Sequence, residues 1–297
     1  MTDWLWAIFT VTAAGGQTFR NAMQKELTAT LGMVGATHVR FLYGLPFAAL
    51  FLLGILLFTG QSLPTLNATM LTWIVVGALS QIAGTALLLA AMQQRSFVVT
   101  TALSKTEPVQ VAIFGLVFLG DHISAGLAVA IVVATVGVVV MSWPKQSSAD
   151  ALSLNGALLG IASGALMGLA AVGYRGGVIN TGSPNFVVAA STTLVVGLTF
   201  QVTLMTTYLL VRDRKTLVAL FKAWRPSITA GFMGAFASQM WNLAFALESA
   251  AKIRTLALVE ILFAQFLSRR VFQQGVASRE AIGIALIIAG VILLLNT

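Results

Sequence analysis

The sequence contains no cysteine and only two histidines, His38 and His122. Without thiols there is no disulfide framework and no thiolate metal site, and two isolated imidazoles make a poor ligand set, so metal chemistry is not expected and no cofactor is implied. Acidic residues are scarce too. Nine Asp and Glu stand against seventeen Lys and Arg, and charged residues make up 9% of 297 positions, too few to cover the surface of a soluble domain of this length. No basic residue precedes the first apolar run, since Asp3 is the only charge before Trp4, so the start lacks the n-region of a secretory signal. A Gly-x-x-x-x-Gly-Lys-Ser/Thr pattern is missing as well, which excludes direct ATP drive by this sequence.

Apolar sequence takes the place of what is missing. Hydrophobic residues make up 58% of the chain and the mean hydropathy is +0.93, values that belong to a protein living in a bilayer. The net charge of +8 does not point to nucleic acid, because the basic residues sit at the ends of apolar segments, where they set orientation and meet anionic headgroups. A helix needs about 20 apolar residues to cross the hydrocarbon core. The sequence offers ten such segments, near 4–19, 34–58, 70–92, 97–119, 125–141, 154–174, 186–211, 228–247, 255–267 and 281–295. A polar link, Trp143–Asp150, divides them five and five, and Arg212–Pro226 is the one long charged connection. The expected fold is an all-α polytopic membrane protein.

The two halves, 1–145 and 150–297, also repeat. A shift of 153 positions brings Glu107 onto Glu260, Leu103 onto Leu256, Ala128 onto Ala281, Ile131 onto Ile284 and Gly137-Val138 onto Gly290-Val291. Five is odd, so the second half would enter the bilayer from the opposite side, giving the inverted-repeat symmetry of many secondary transporters. Connections after odd-numbered spans hold 12 of the 17 basic residues, those after even-numbered spans hold 3, and Arg40 and Lys105 lie within spans. The positive-inside rule then puts the odd connections in the cytoplasm and both termini outside.

Several short patterns, taken in order, resemble the drug/metabolite transporter superfamily, in particular its EamA-type ten-helix members. They are Gly16-Gln-Thr-Phe19, Arg40-Phe41, Glu107-Pro108, Gly120-Asp121 and the run Gly283–Val291. The chain departs from the family pattern at Gly15, where Trp is frequent, at Ile261, where Pro would follow Glu260, and at Gln273-Gln274 in place of a Gly-acidic pair. The resemblance implies a multi-pass protein of the plasma membrane (the inner membrane in bacteria). It would export amino acids or related small metabolites by alternating access, with proton coupling and simple facilitated efflux both open. Its partners would be a small-molecule substrate and the lipid bilayer, with a homodimer left open.

Glu107 is the leading candidate for chemistry. A carboxylate inside a span costs about 2.5 to 3.5 kcal/mol on insertion scales, so it is expected to face a cavity or a partner. Pro108 has no N–H, which bends the helix and leaves the Ser104 carbonyl without its usual donor. Lys105 points about 200° away from Glu107 on a helix and is not its obvious partner. Glu107 either lines the substrate path or ties helices together. Glu260, its repeat mate, either approaches the same cavity or pairs with Arg254 or Lys252. Arg40 suits a carboxylate or phosphate through its guanidinium fork, or else snorkels to the interface. Arg20 and Arg175 are read as snorkelling. Gln17, Gln81, Trp241 and Asn242 complete the candidate substrate cavity, with interhelical glue as their alternative role. Glu107 and Glu260 are also the candidates for proton coupling. Gly156, Gly160, Gly164 and Gly168 form a ridge without side chains, expected to pack closely on a neighbouring helix. A channel or a non-transporting sensor shares this composition. A membrane-embedded enzyme is the weaker alternative, because neither histidine has a Ser/Asp constellation beside it.

Overall fold

The structure, a computed structural model, describes residues 4–92, 103–142, 154–263 and 278–297. The link Trp143–Asp150, the Gln273-Gln274 pair, the basic residues Arg95, Lys145, Arg269 and Arg270, and the parts of the fourth and ninth expected spans at 97–102 and 264–267 lie outside the described residues. Among the described residues every regular element is helical: α1 (Leu5–Leu42), α2 (Gly44–Thr59), α3 (Ala68–Met92), α4 (Glu107–Phe114, continued by a π turn at Gly115–Leu119) and α5 (Ala125–Ser142) in the first half. The second half carries α6 (Leu154–Ile179), α7 (Phe186–Arg212), α8 (Arg214–Lys222), α9 (Trp224–Leu247), α10 (Ala250–Leu256, followed by a 3-10 turn at Ala257–Val259) and α11 (Ser278–Leu295).

Among the described residues, four helical stretches are long and apolar enough to cross a membrane: Glu26–Thr59, Ala68–Leu88, Ala157–Ile179 and Phe186–Arg212. Shorter apolar helices cover Glu107–Leu119 and Ala125–Met141.

Two boundaries differ from the sequence reading. The first span was expected to stop at Phe19, yet α1 runs on through residues 20–31 to a break at Gly32. Those residues include Met, Gln, Lys, Glu, Ala and Leu, all good helix formers, and contain neither Gly nor Pro. A straight 38-residue helix would reach about 57 Å, roughly twice the hydrocarbon core. Gly32, at φ 67° and ψ 177°, is where the helix breaks, in a conformation that side chains with a Cβ rarely adopt. The second difference is the charged connection after the seventh span, which forms α8 rather than an open loop. Asp213 starts it, accepting from the Thr216 amide at 3.1 Å.

The chain forms two compact units, each drawn from both sequence halves: residues 1–79 with 173–247, and residues 80–172 with 248–297. In the first unit α1 lies along α9, where a Cβ on Gly16 would stand 3.4 Å from the Ala237 Cβ, and α2 packs against α7 and α9. The foot of this unit is an apolar cluster in which Leu27, Leu31, Ala36 and Val39 of α1 meet Leu209 of α7 and Leu217 and Leu220 of α8. In the second unit α5 lies along α11. Gly137 faces the Gly283 carbonyl oxygen, which a Cβ would approach to 2.8 Å, and Gly290 faces Ala134. Glycine at these points lets two backbones come together in lipid, where close van der Waals packing replaces the hydrophobic drive.

Candidate functional site

In the second unit, the expected consequence of Pro108 takes the form of a break. The helix stops at Lys105–Thr106, and α4 restarts at Glu107 with Pro108 in its first turn, where a missing N–H leaves no bond unmade. Thr106 ties the break together, its hydroxyl donating to the Leu103 carbonyl at 2.7 Å. The segment can lie where it does because α6 presents glycines to it. A Cβ on Gly164 would stand 2.9 Å from the Ser104 carbonyl oxygen, and one on Gly168 would stand 3.0 Å from Val111 Cγ2. Gly160 is buried on the same helix, and Gly156 lies near its start. Glu260 occupies a comparable place, directly after the 3-10 turn that ends α10, although no proline causes that interruption.

The two carboxylates line one water-sized cleft together with Lys105 and Arg254. Their pairing is crossed between the sequence halves. Glu107 Oε1 accepts from Arg254, with Nε at 2.6 Å and Nη2 at 2.5 Å, while the Lys105 ammonium pairs with Glu260. The side chains of Glu107 and Arg254 are 13% and 16% exposed, so each charge depends mainly on its partner rather than on water. Glu260 thus has Lys105 as a partner, and Lys252 turns to Glu248 four residues before it, at 3.5 Å. Lys105 and Arg254 belong with the site residues, although the sequence reading did not place them there. A count of charges was the available signal, because two acids and two bases fall within or beside the fourth and ninth spans.

The first unit holds the other candidates. The Arg40 guanidinium stacks over the Phe41 ring at 4.5 Å, with Tyr174 as its electrostatic neighbour. Its Nε and Nη2 are buried and make no hydrogen bond among the described residues. Gly234 on α9 leaves room for this arginine and for a second one: its Cβ position lies 3.4 Å from Arg40 Cβ and 3.6 Å from Arg20 Cδ. Arg20 does not snorkel. It is 7% exposed and donates from Nη2 to Asn21 Oδ1 at 2.8 Å. Arg175 likewise turns inward, donating from Nη1 to the Phe245 carbonyl at 3.0 Å. Trp241 Nε1 donates to Gln17 Oε1 at 3.2 Å, which joins α9 to α1. The Asn242 amide donates back to Ser238 of its own helix at 3.0 Å, while its Oδ1 is buried without a partner. His38 contacts the Thr206 hydroxyl at 2.9 Å in the packed interior. Gln81 is half-buried on α3, in the second unit.

Residues 4–143 match the family model described as the EamA-like transporter family. Over these residues the chain is similar to that family. This similarity, together with the long apolar helices, makes the chain an integral membrane protein, and EamA-like proteins are transporters of small molecules. A solved structure titled "Crystal structure of protein" is similar across 97% of this EamA-like chain and 95% of its own, with a TM-score of 0.70 at 14% identity, which establishes a shared fold. No curated protein matches the sequence.

Proposed function

We propose that the chain is a ten-helix secondary transporter of two inverted five-helix halves, exporting small metabolites such as amino acids across the plasma membrane by alternating access. The observation that carries this reading is the crossed pairing of Lys105 with Glu260 and of Arg254 with Glu107. Four charges within spans or at their edge, summing to zero, hold a helix of each half to a helix of the other. A substrate or a proton that breaks one pair changes what the two helices gain from staying together.

Inverted repetition is supported by contacts that recur when the halves exchange roles. Gly137 packs on Ile287 and Gly290 on Ala134, and the 153-residue shift turns one contact into the other. Gly16 packs on Ala237, while Gly84, the mate of Ala237, packs on Leu166 and Met167, within one turn of the mate of Gly16.

Substrate recognition is assigned to the first unit. The buried N–H groups of Arg40 that make no protein hydrogen bond match a carboxylate in bidentate geometry. Gln17, Trp241 and Asn242 supply amide and indole groups from α1 and α9. The test is counterflow in proteoliposomes. Saturable exchange of a carboxylate-bearing metabolite is expected, with Arg40→Gln raising its half-saturation concentration about tenfold or more and leaving exchange of uncharged analogues unchanged. Unsaturable flux would make the protein a channel, and equal effects on charged and uncharged substrates would remove Arg40 from the binding site. Glu107→Gln deletes a titratable charge while keeping size and hydrogen-bonding capacity. Unaltered exchange between pH 5 and 8 in that variant would remove Glu107 from the cycle and from proton coupling.

A further inference from the structure

The α8 segment is not used by the transport reading, and its chemistry is unlike that of any other connection described. One face of this nine-residue helix is anchored: Leu217 and Leu220 are buried in the cluster with Leu27, Leu31, Val39 and Leu209, and the Tyr43 hydroxyl donates to the Leu220 carbonyl at 3.0 Å. The helix is therefore fixed at the end of the apolar stretch Phe186–Arg212, where the hydrocarbon core gives way to headgroups. Its other faces remain open. Val211, Val218, Phe221 and Trp224 are exposed apolar residues around it. Beside them runs an open groove of about 390 Å³ lined by Arg214, Lys215 and Lys222 with Val218 and Ala219.

Within residues 212–225 the bases are Arg212, Arg214, Lys215, Lys222 and Arg225, and the one acid is Asp213. Its carboxylate is engaged elsewhere, accepting from the Thr216 hydroxyl at 2.6 Å and from the Thr216 amide, which holds its pKa below the usual carboxylate value. Arg214 Nε donates to the Leu210 carbonyl at 2.8 Å and Arg225 stacks on Trp224, whereas Lys215 is an electrostatic neighbour of Asp213 and Lys222 lines the groove with no ion pair among the described residues.

We infer that this groove is a binding site for the headgroup of an anionic phospholipid, with Arg214, Lys215 and Lys222 meeting the phosphate and Val218, Phe221 and Trp224 seated among the acyl chains. Three features support a lipid over a soluble anion. The cations lie beside exposed apolar side chains, which a dissolved phosphate would not cover. The helix lies at interfacial depth, next to the end of a span. An amphipathic basic helix carrying an exposed Phe, with an exposed Trp two residues past its end, is also the form that peripheral membrane anchors take.

The experiment measures lipid binding to the purified full-length protein, by native mass spectrometry and by the melting temperature in mixed micelles, with no transport readout. Failure of the site is thus separable from failure of the transport reading. Phosphatidylglycerol is expected to bind and to raise the melting temperature, while phosphatidylcholine and inorganic phosphate do neither. Arg214→Gln/Lys215→Gln/Lys222→Gln should weaken phosphatidylglycerol binding at least about tenfold, given roughly fivefold per interfacial charge removed. Arg279→Gln, an exposed base elsewhere, should leave it unchanged. If the triple variant does not fold, Lys222→Gln alone, at an exposed position, should weaken binding about fivefold. Wild-type affinity in these variants would overturn the proposal, as would equal binding of phosphatidylcholine or displacement of the lipid by glycerol 3-phosphate.

Discussion

At the scale of single residues, the charges of the second unit form pairs whose members lie 147 and 155 positions apart in sequence. Such pairs answer to a charge swap. Glu107→Arg leaves two cations facing each other across α4 and α10, and Arg254→Glu leaves two anions; both should fold less stably and transport less. The double variant Glu107→Arg/Arg254→Glu restores opposite charges at the same two positions. A double-mutant cycle on melting temperature should therefore give an interaction of about 0.5 to 3 kcal/mol, the range for residues in direct contact. Additive losses would mean that the pair contributes nothing of its own. Glu107 itself was legible in the sequence because an acid before a proline inside an apolar run has few reasons to exist, and the shift onto Glu260 gave a second one. Its partner was not legible. Helical spacing tells which residues share a face of one continuous helix, and it set Lys105 apart from Glu107, whereas the helix stops at Lys105–Thr106 and both side chains line one cleft. It says nothing about which face of a helix some 150 residues away comes opposite, so only charge balance pointed to Arg254.

At the scale of elements, the glycine ridge of α6 separates packing from helix propensity. A Cβ on Gly164 would meet the Ser104 carbonyl at 2.9 Å, and that backbone is fixed by the break before Glu107. Gly164→Ala should therefore cost about 1 to 3 kcal/mol of stability, as overpacking does, and should reduce transport by displacing Glu107. Gly168→Ala meets a movable Val111 methyl and should cost less. Gly15→Ala on α1 meets nothing within 4 Å and should be neutral or stabilising by up to about 1 kcal/mol, since alanine is the better helix former. Thermal unfolding of the three variants in one detergent gives the ranking, and equal effects at Gly164 and Gly15 would show that the ridge is not a contact. The ridge was visible as a four-residue spacing, but its partner was not, because close approach leaves a mark on the small residue only. Connections were the least legible elements. Residues 20–31 and 214–222 were read as breaks on the strength of their charge, yet both are helical, since charged and amide side chains are good helix formers and interrupt only the apolar signal.

At the scale of the whole molecule, the remaining question is which way the chain threads the bilayer, and the proposed architecture makes it testable. Ten spans put both termini on one side, and the asymmetry of 12 against 3 basic residues assigns that side to the exterior. The strongest single contributor is α8 with its flanks, where five bases cluster, a concentration that strongly disfavours translocation. A reporter fused after Thr297 should therefore be active as alkaline phosphatase and dark as green fluorescent protein. The absence of cysteine gives an independent reading in an otherwise unaltered chain. Lys215→Cys, exposed on α8, should react with a membrane-impermeant maleimide only after the cells are opened. Asn296→Cys, beside the terminus, should react in intact cells. If both residues label from the same side, the span count between α8 and the terminus is even rather than the odd number proposed. If each labels from the side opposite to expectation, ten spans stand and the charge rule has been overridden, so that the termini lie in the cytoplasm.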